Sequence, residues 1–159
     1  MAQRHSPIDL TDHIPALCLA LGSKIALHAK RNGAAPLDLD LSEWRIVQVL
    51  GALEQCTIFD IADRIAIDRG GTSRAVLNLE QNGYVIRTND PADRRRSFVA
   101  LTKEGWQLHR KVVAFSRARE ERLLKSVSNA DQRRLRGLLN TLIGEAHLML
   151  DEAWVPPKT

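Results

Sequence analysis

The sequence predicts a mainly α protein that carries one small β-hairpin. Three observations lead there. Apolar residues recur at helical spacing along most of the 159 residues. Polar caps followed three positions on by Asp or Glu mark repeated helix starts. The period shortens to that of strands only between Gly83 and Leu101.

Taken in order, Ile14, Leu17, Cys18, Leu21, Ile25 and Leu27 form one stripe and predict an amphipathic helix over 9–30. The run Asn32-Gly33-Ala34-Ala35-Pro36 is expected to break it. Asp40 with Glu43 opens a helix over 42–54, and Thr57 with Asp60 opens a shorter one over 58–66. Asp68 is the expected N-cap of a helix that runs to about Asn82 and stops at Gly83. Strands are predicted over 84–88 and 97–101, with the turn-forming Asn89-Asp90-Pro91 between them. Thr102 starts a long helix, 103–126. Ser128 with Asp131 caps the last one, where Leu135, Leu138, Leu139, Leu142, Ile143, Ala146, Met149 and Leu150 make an apolar stripe.

Hydrophobic residues at 44% and charged residues at 26% describe an ordinary globular chain. Lys and Arg number 23 against 19 Asp and Glu, and 17 of the 23 bases are arginine. Arginine suits planar contact with phosphate and guanine. A GC-rich genome explains the same bias, so composition permits a nucleic-acid partner without requiring one. Cys18 and Cys56 make no disulfide framework and fit a reducing cytoplasm. No signal-peptide core opens the chain, and apolar stretches such as 14–21 are too short to span a bilayer. A cytoplasmic protein without a membrane partner is expected.

Enzyme signatures are missing: there is no Gly-x-Ser-x-Gly elbow, no phosphate-binding glycine loop and no His-Glu-x-x-His. Capping explains the acids Asp60 and Asp63. His5, His13, His28, His109 and His147 are scattered, so neither a metal site nor a cofactor is expected.

The chemistry concentrates in 68–101. A helix whose exposed start carries Thr72, Ser73 and Arg74 runs into a hairpin tipped by Asp93-Arg94-Arg95-Arg96. That order suits a helix placed in one DNA groove and an arm placed in the next. The apolar helices at the two ends of the sequence exceed what one small central domain can cover, which predicts a homodimer. The expected division is a DNA-binding domain over 36–102, a dimerisation region from 9–35 and 103–152, and a loose tail over 153–159.

The chain resembles the MarR family (multiple antibiotic resistance regulator) of transcriptional regulators over about 14–150. Asp90-Pro91-Ala92-Asp93-Arg94-Arg95, a strand, then Leu101-Thr102-Lys103-Glu104-Gly105 match the family's wing pattern. Leu79-Glu80-Gln81-Asn82-Gly83-Tyr84-Val85 matches its helix-to-strand junction, and Leu41-Ser42-Glu43-Trp44 its second helix. The resemblance implies a winged helix-turn-helix homodimer on double-stranded DNA, with Arg95 in a minor groove, Asp93 bracing it, and Arg94 and Arg96 on phosphates. Ser73 and Arg74 align with base- and phosphate-contacting positions, with Thr72 beside them. Gly70-Gly71 departs from the family pattern, and Arg69 is either a phosphate contact or merely exposed.

The resemblance also implies a repressor released by a small effector, often phenolic or an aromatic carboxylate. Trp44 matches a cleft-lining position, and His13, His28 and Arg45 are candidate polar contacts; plain core is the competing reading of Trp44. Cys18 resembles the first-helix cysteine of hydroperoxide-sensing members. Gly22 stands where that branch has a tyrosine, so a buried apolar role competes with a redox one. A winged domain that binds protein instead of DNA is a further alternative, opposed by the basic residues of helix and wing.

Overall fold

The computed structural model of the chain describes residues 9–89 and 97–151. The chain divides into two compact units, Met1–Phe115 and Ser116–Thr159. The first begins with helix α1 (Ile14–Ala29), in which Pro15 occupies the first turn, where its missing N–H is not needed. The α-helix ends at Ala29, close to the expected 30, but the chain does not leave helical geometry over 32–36. The chain instead widens into a π turn, Lys30–Ala34, and tightens into a 3-10 turn, Ala35–Leu37. Gly33 is buried there: a Cβ would lie 2.8 Å from the Phe115 ring and 2.9 Å from Trp44. Tertiary packing overrides the breaker signal. The turn ends at Asp38, in the left-handed region at φ 54°.

Both predicted capping boxes form. The Glu43 amide donates to Asp40 Oδ1 at 2.7 Å and the Asp40 amide to Glu43 Oε2 at 2.7 Å, opening α2 (Leu41–Leu53). Thr57 and Asp60 do the same for α3 (Ile58–Ile65), at 2.9 Å and 3.2 Å. A three-residue strand not foreseen from the sequence, β1 (Gln55–Thr57), lies between them. The turn after α3 passes through Ala66 at φ 51°. Helix α4 (Arg69–Gln81) follows, with Asp68 Oδ1 accepting the Gly71 amide at 2.8 Å.

Gly83 closes α4 at φ 74°. Its amide donates to the Glu80 carbonyl at 2.9 Å and the Tyr84 amide to that of Leu79 at 2.9 Å, the two bonds of a Schellman motif. Strands β2 (Val85–Asn89) and β3 (Ser97–Leu101) then pair antiparallel with Val85 opposite Leu101 and Asn89 opposite Ser97. β1 adds to the other side of β3, with Cys56 opposite Val99, so the sheet order is β1-β3-β2. Trp44, Ile46, Val47, Leu50, Ile61, Val76, Leu79, Val99 and Val112 fill one core beneath these helices and the sheet.

Helix α5 (Lys103–Leu123) contains the boundary between the units. In the second unit the Ser128 hydroxyl accepts the Asp131 amide at 3.2 Å and caps α6 (Asn129–Asp151). Among the described residues, large aliphatic side chains of α6 are exposed: Leu138 is 54% exposed and Ile143 66%. α1 is similar, with Leu17 at 47% and Leu19 at 72%. Among the described residues, no helix is long and apolar enough to cross a membrane.

Candidate nucleic-acid interface

Helices α3 and α4, joined by the turn at Ala66–Asp68, form a helix-turn-helix whose second helix presents its first two turns to solvent. Arg69, Gly70 and Arg74 are exposed and Ser73 is half-buried. Thr72 is corrected: it is completely buried, and its hydroxyl donates to the Asp68 carbonyl at 3.0 Å. It belongs to the inward stripe Thr72, Ala75, Val76 and Leu79, so its side chain holds the turn and does not face outward.

The exposed start of α4 attracts anions for two reasons. Its first turn contains no acid beyond the Asp68 cap, so the positive end of the helix is only partly offset. Two guanidinium groups, Arg69 and Arg74, stand on the same start. Arg69 Cζ lies 4.5 Å from the centroid of the Phe59 ring, and Phe59 on α3 is 56% exposed. Phe59 escaped the sequence reading because an outward phenylalanine carries no periodic signal. Glycine at 71 has a local cause: a Cβ there would lie 3.0 Å from Asp68 Oδ2 and 3.1 Å from Ile67 Cγ2.

The far end of α4 is tied to the sheet and to α5. Glu80 pairs with Arg87 of β2 at 3.1 Å. The Thr102 hydroxyl donates to the Gly83 carbonyl at 2.7 Å and accepts the Gly105 amide at 3.0 Å. Asp93, Arg94, Arg95 and Arg96 lie outside the described residues.

Of the candidate effector contacts, the structure joins two. The Trp44 ring is 1% exposed and meets Phe115 edge-on, centroids 5.4 Å apart; His28 stacks on the same Phe115 at 5.7 Å. Phe115 was missed by the sequence reading, since one aromatic on a long charged helix gives no signal of its partners. Arg45 points elsewhere, its guanidinium donating to the Ile65 carbonyl at the end of α3 at 3.4 Å. His13 precedes α1 and stands about 22 Å along the helix from His28. Neither joins the aromatic group.

Among the described residues Cys18 is exposed, which does not match the buried apolar reading. The apolar face of α1 that carries it is not covered by the described residues of the chain. Cys56 is buried, and burial, with Asp60 adding to it, pushes its thiol up to about 11, which makes it a poor nucleophile. Among the described residues no group of three His, Cys, Asp or Glu side chains converges as a metal site.

This arrangement of helix-turn-helix, three-stranded sheet and flanking long helices recurs in solved regulators. A MarR/EmrR family transcriptional regulator from Acinetobacter sp. ADP1 superposes with a TM-score of 0.80 at 27% identity, covering 89% of this chain and 99% of that one. The chain is similar to the MarR family over residues 37–96, which match that family's sequence profile. A second similar structure is CouR from Rhodococcus jostii RHA1 bound to p-coumaroyl-CoA, with TM-score 0.73 and 26% identity over 86% of this chain and 95% of CouR. The homoprotocatechuate degradative operon repressor of Escherichia coli is 32% identical over 72 residues, 45% of this chain. That match spans 49% of the repressor, about half its length.

Proposed function

We propose that this chain is a MarR-family, sequence-specific, double-stranded-DNA-binding transcriptional regulator of the cytoplasm, a homodimeric repressor released from its operator by a small effector. One observation carries the reading: the exposed, cationic start of α4, with Arg69 and Arg74 presented outward from a helix-turn-helix. A helix in that setting enters a major groove with its N-terminal residues against base edges. Arg74 has the donors to address guanine O6 and N7, and Ser73 can donate or accept. Arg94, Arg95 and Arg96 supply wing contacts, with Arg95 in the minor groove, where narrowness concentrates negative potential.

The exposed apolar side chains of α1 and of α6 support dimerisation, since each helix presents several large aliphatic residues among the described residues. The effector is small and aromatic or phenolic. Trp44, Phe115 and His28 offer ring faces and a polar nitrogen for it, and CouR is similar to this chain and was solved with p-coumaroyl-CoA.

The deciding experiment incubates the purified protein with fragmented genomic DNA at physiological salt and sequences what is retained. Enrichment of a pseudo-palindrome with half-sites about one helical turn apart is expected. Retention of no shared sequence overturns the reading.

A further inference from the structure

Arg69 occupies the first position of α4, where a positive charge opposes the helix dipole. A cation at such an exposed site is disfavoured by roughly 0.3–1 kcal/mol, which a favourable contact can offset. The partner that the structure supplies is a ring: Cζ of Arg69 sits 4.5 Å from the centroid of Phe59. Phe59 is equally out of place on local grounds. Ile58, Ile61 and Ile65 turn inward from α3, whereas Phe59 is left 56% exposed in front of the recognition helix.

The two anomalies explain each other. A guanidinium whose central carbon lies over a ring still has N–H donors directed away from it, and such donors are what a phosphate engages. Stacking also removes rotamer freedom from a long side chain before any DNA arrives. Lysine would not do the same, because its ammonium is a compact, strongly hydrated point charge without a planar fork.

We propose that Phe59 is a positioning residue for DNA binding, holding the Arg69 guanidinium as a pre-oriented phosphate clamp at the start of the recognition helix. The inference rests on the DNA-binding reading above and adds to it a residue outside the recognition helix and wing.

The test is a double-mutant cycle on the intact protein, with operator affinity measured by fluorescence anisotropy across a salt series. Phe59→Leu should weaken binding roughly two- to five-fold while Arg69 is present, and should have no effect in Arg69→Ala. Arg69→Ala alone should flatten the plot of log affinity against log salt by roughly one unit per site. Phe59→Tyr should restore wild-type affinity, and Arg69→Lys should behave like Phe59→Leu. Thermal midpoints are measured for every variant and should move only slightly, and in a pattern that does not follow the affinity changes. An equal loss for Phe59→Leu with and without Arg69 overturns the positioning role while leaving DNA binding intact. Absence of salt-dependent DNA affinity in the wild type overturns the DNA-binding reading itself and the clamp with it.

Discussion

Gly105 lies so close to Tyr84 that a Cβ on it would overlap the Tyr84 carbonyl oxygen. That carbonyl already accepts the Thr102 amide at 3.0 Å. The start of α5 is therefore docked directly on the backbone that leaves α4, and Thr102 locks the joint by bonding Gly83 on one side and Gly105 on the other. This gives a physical reason for glycine in Leu101-Thr102-Lys103-Glu104-Gly105. The motif is a joint between α4 and α5, and the glycine is the space it needs.

Gly105→Ala should accordingly destabilise the fold by about 2 kcal/mol or more, because backbone, not a flexible side chain, has to move. Urea unfolding gives the number. A loss below half a kilocalorie would mean that α5 can slide away from Tyr84 at little cost.

Much of the fold was legible because its signals are local. Asp40 with Glu43, Thr57 with Asp60 and Ser128 with Asp131 are separated by three residues, and each forms the predicted cap. What escaped depends on contacts distant in sequence. β1 is three residues long and exists by pairing with β3, some forty positions away. Gly33 belongs to a continuing helical turn because Phe115 and Trp44 close around it. In the candidate site, Arg69 and Arg74 were readable from composition and position, but the ring beneath Arg69 was not. Thr72 is a different case: spacing against Ala75, Val76 and Leu79 already placed it inward, and its hydroxyl argued misleadingly for the surface.

Gly51 and His109 form a second close joint. A Cβ at Gly51 would overlap the His109 ring, which is itself held edge-on against Trp106 at 5.3 Å. Gly51→Ala should cost about 1–3 kcal/mol. In a His109→Ala background the obstructing ring is gone, so the same substitution should cost much less, with a coupling of about 1 kcal/mol or more between the sites. Additive losses in urea would show that the helices separate without the ring being the obstacle.

The same packing makes His109 a determinant of acid stability. Burial holds its imidazole below the ordinary value of 6.5. Above that value neither the folded nor the unfolded chain protonates this group, and its contribution is complete. As pH falls below about 6.5 the unfolded chain takes up the proton first, so stability declines until the folded-state value is passed. Unfolding midpoints measured from pH 7.5 down to 5.0 should fall, and His109→Gln should lose that part of the slope. An identical pH profile for the variant would remove His109 from this role.

On DNA, Arg95 and Arg74 should fail in different ways. Under the proposed minor-groove contact, which would read shape and charge, Arg95→Ala should weaken every site similarly and lower the salt slope by roughly one unit per site. Arg74 is exposed near the start of α4, where the proposed bidentate contact to guanine would discriminate bases by about 1–3 kcal/mol. Arg74→Ala should therefore narrow the gap between operator and mismatched DNA as well as lowering affinity. Titrating both variants against operator and scrambled duplexes over a salt series separates the two effects. Unchanged slope and affinity for Arg95→Ala would refute the wing assignment, and undiminished discrimination in Arg74→Ala would move base readout to Arg69, Ser73 or the backbone of Gly70 at that end of the helix.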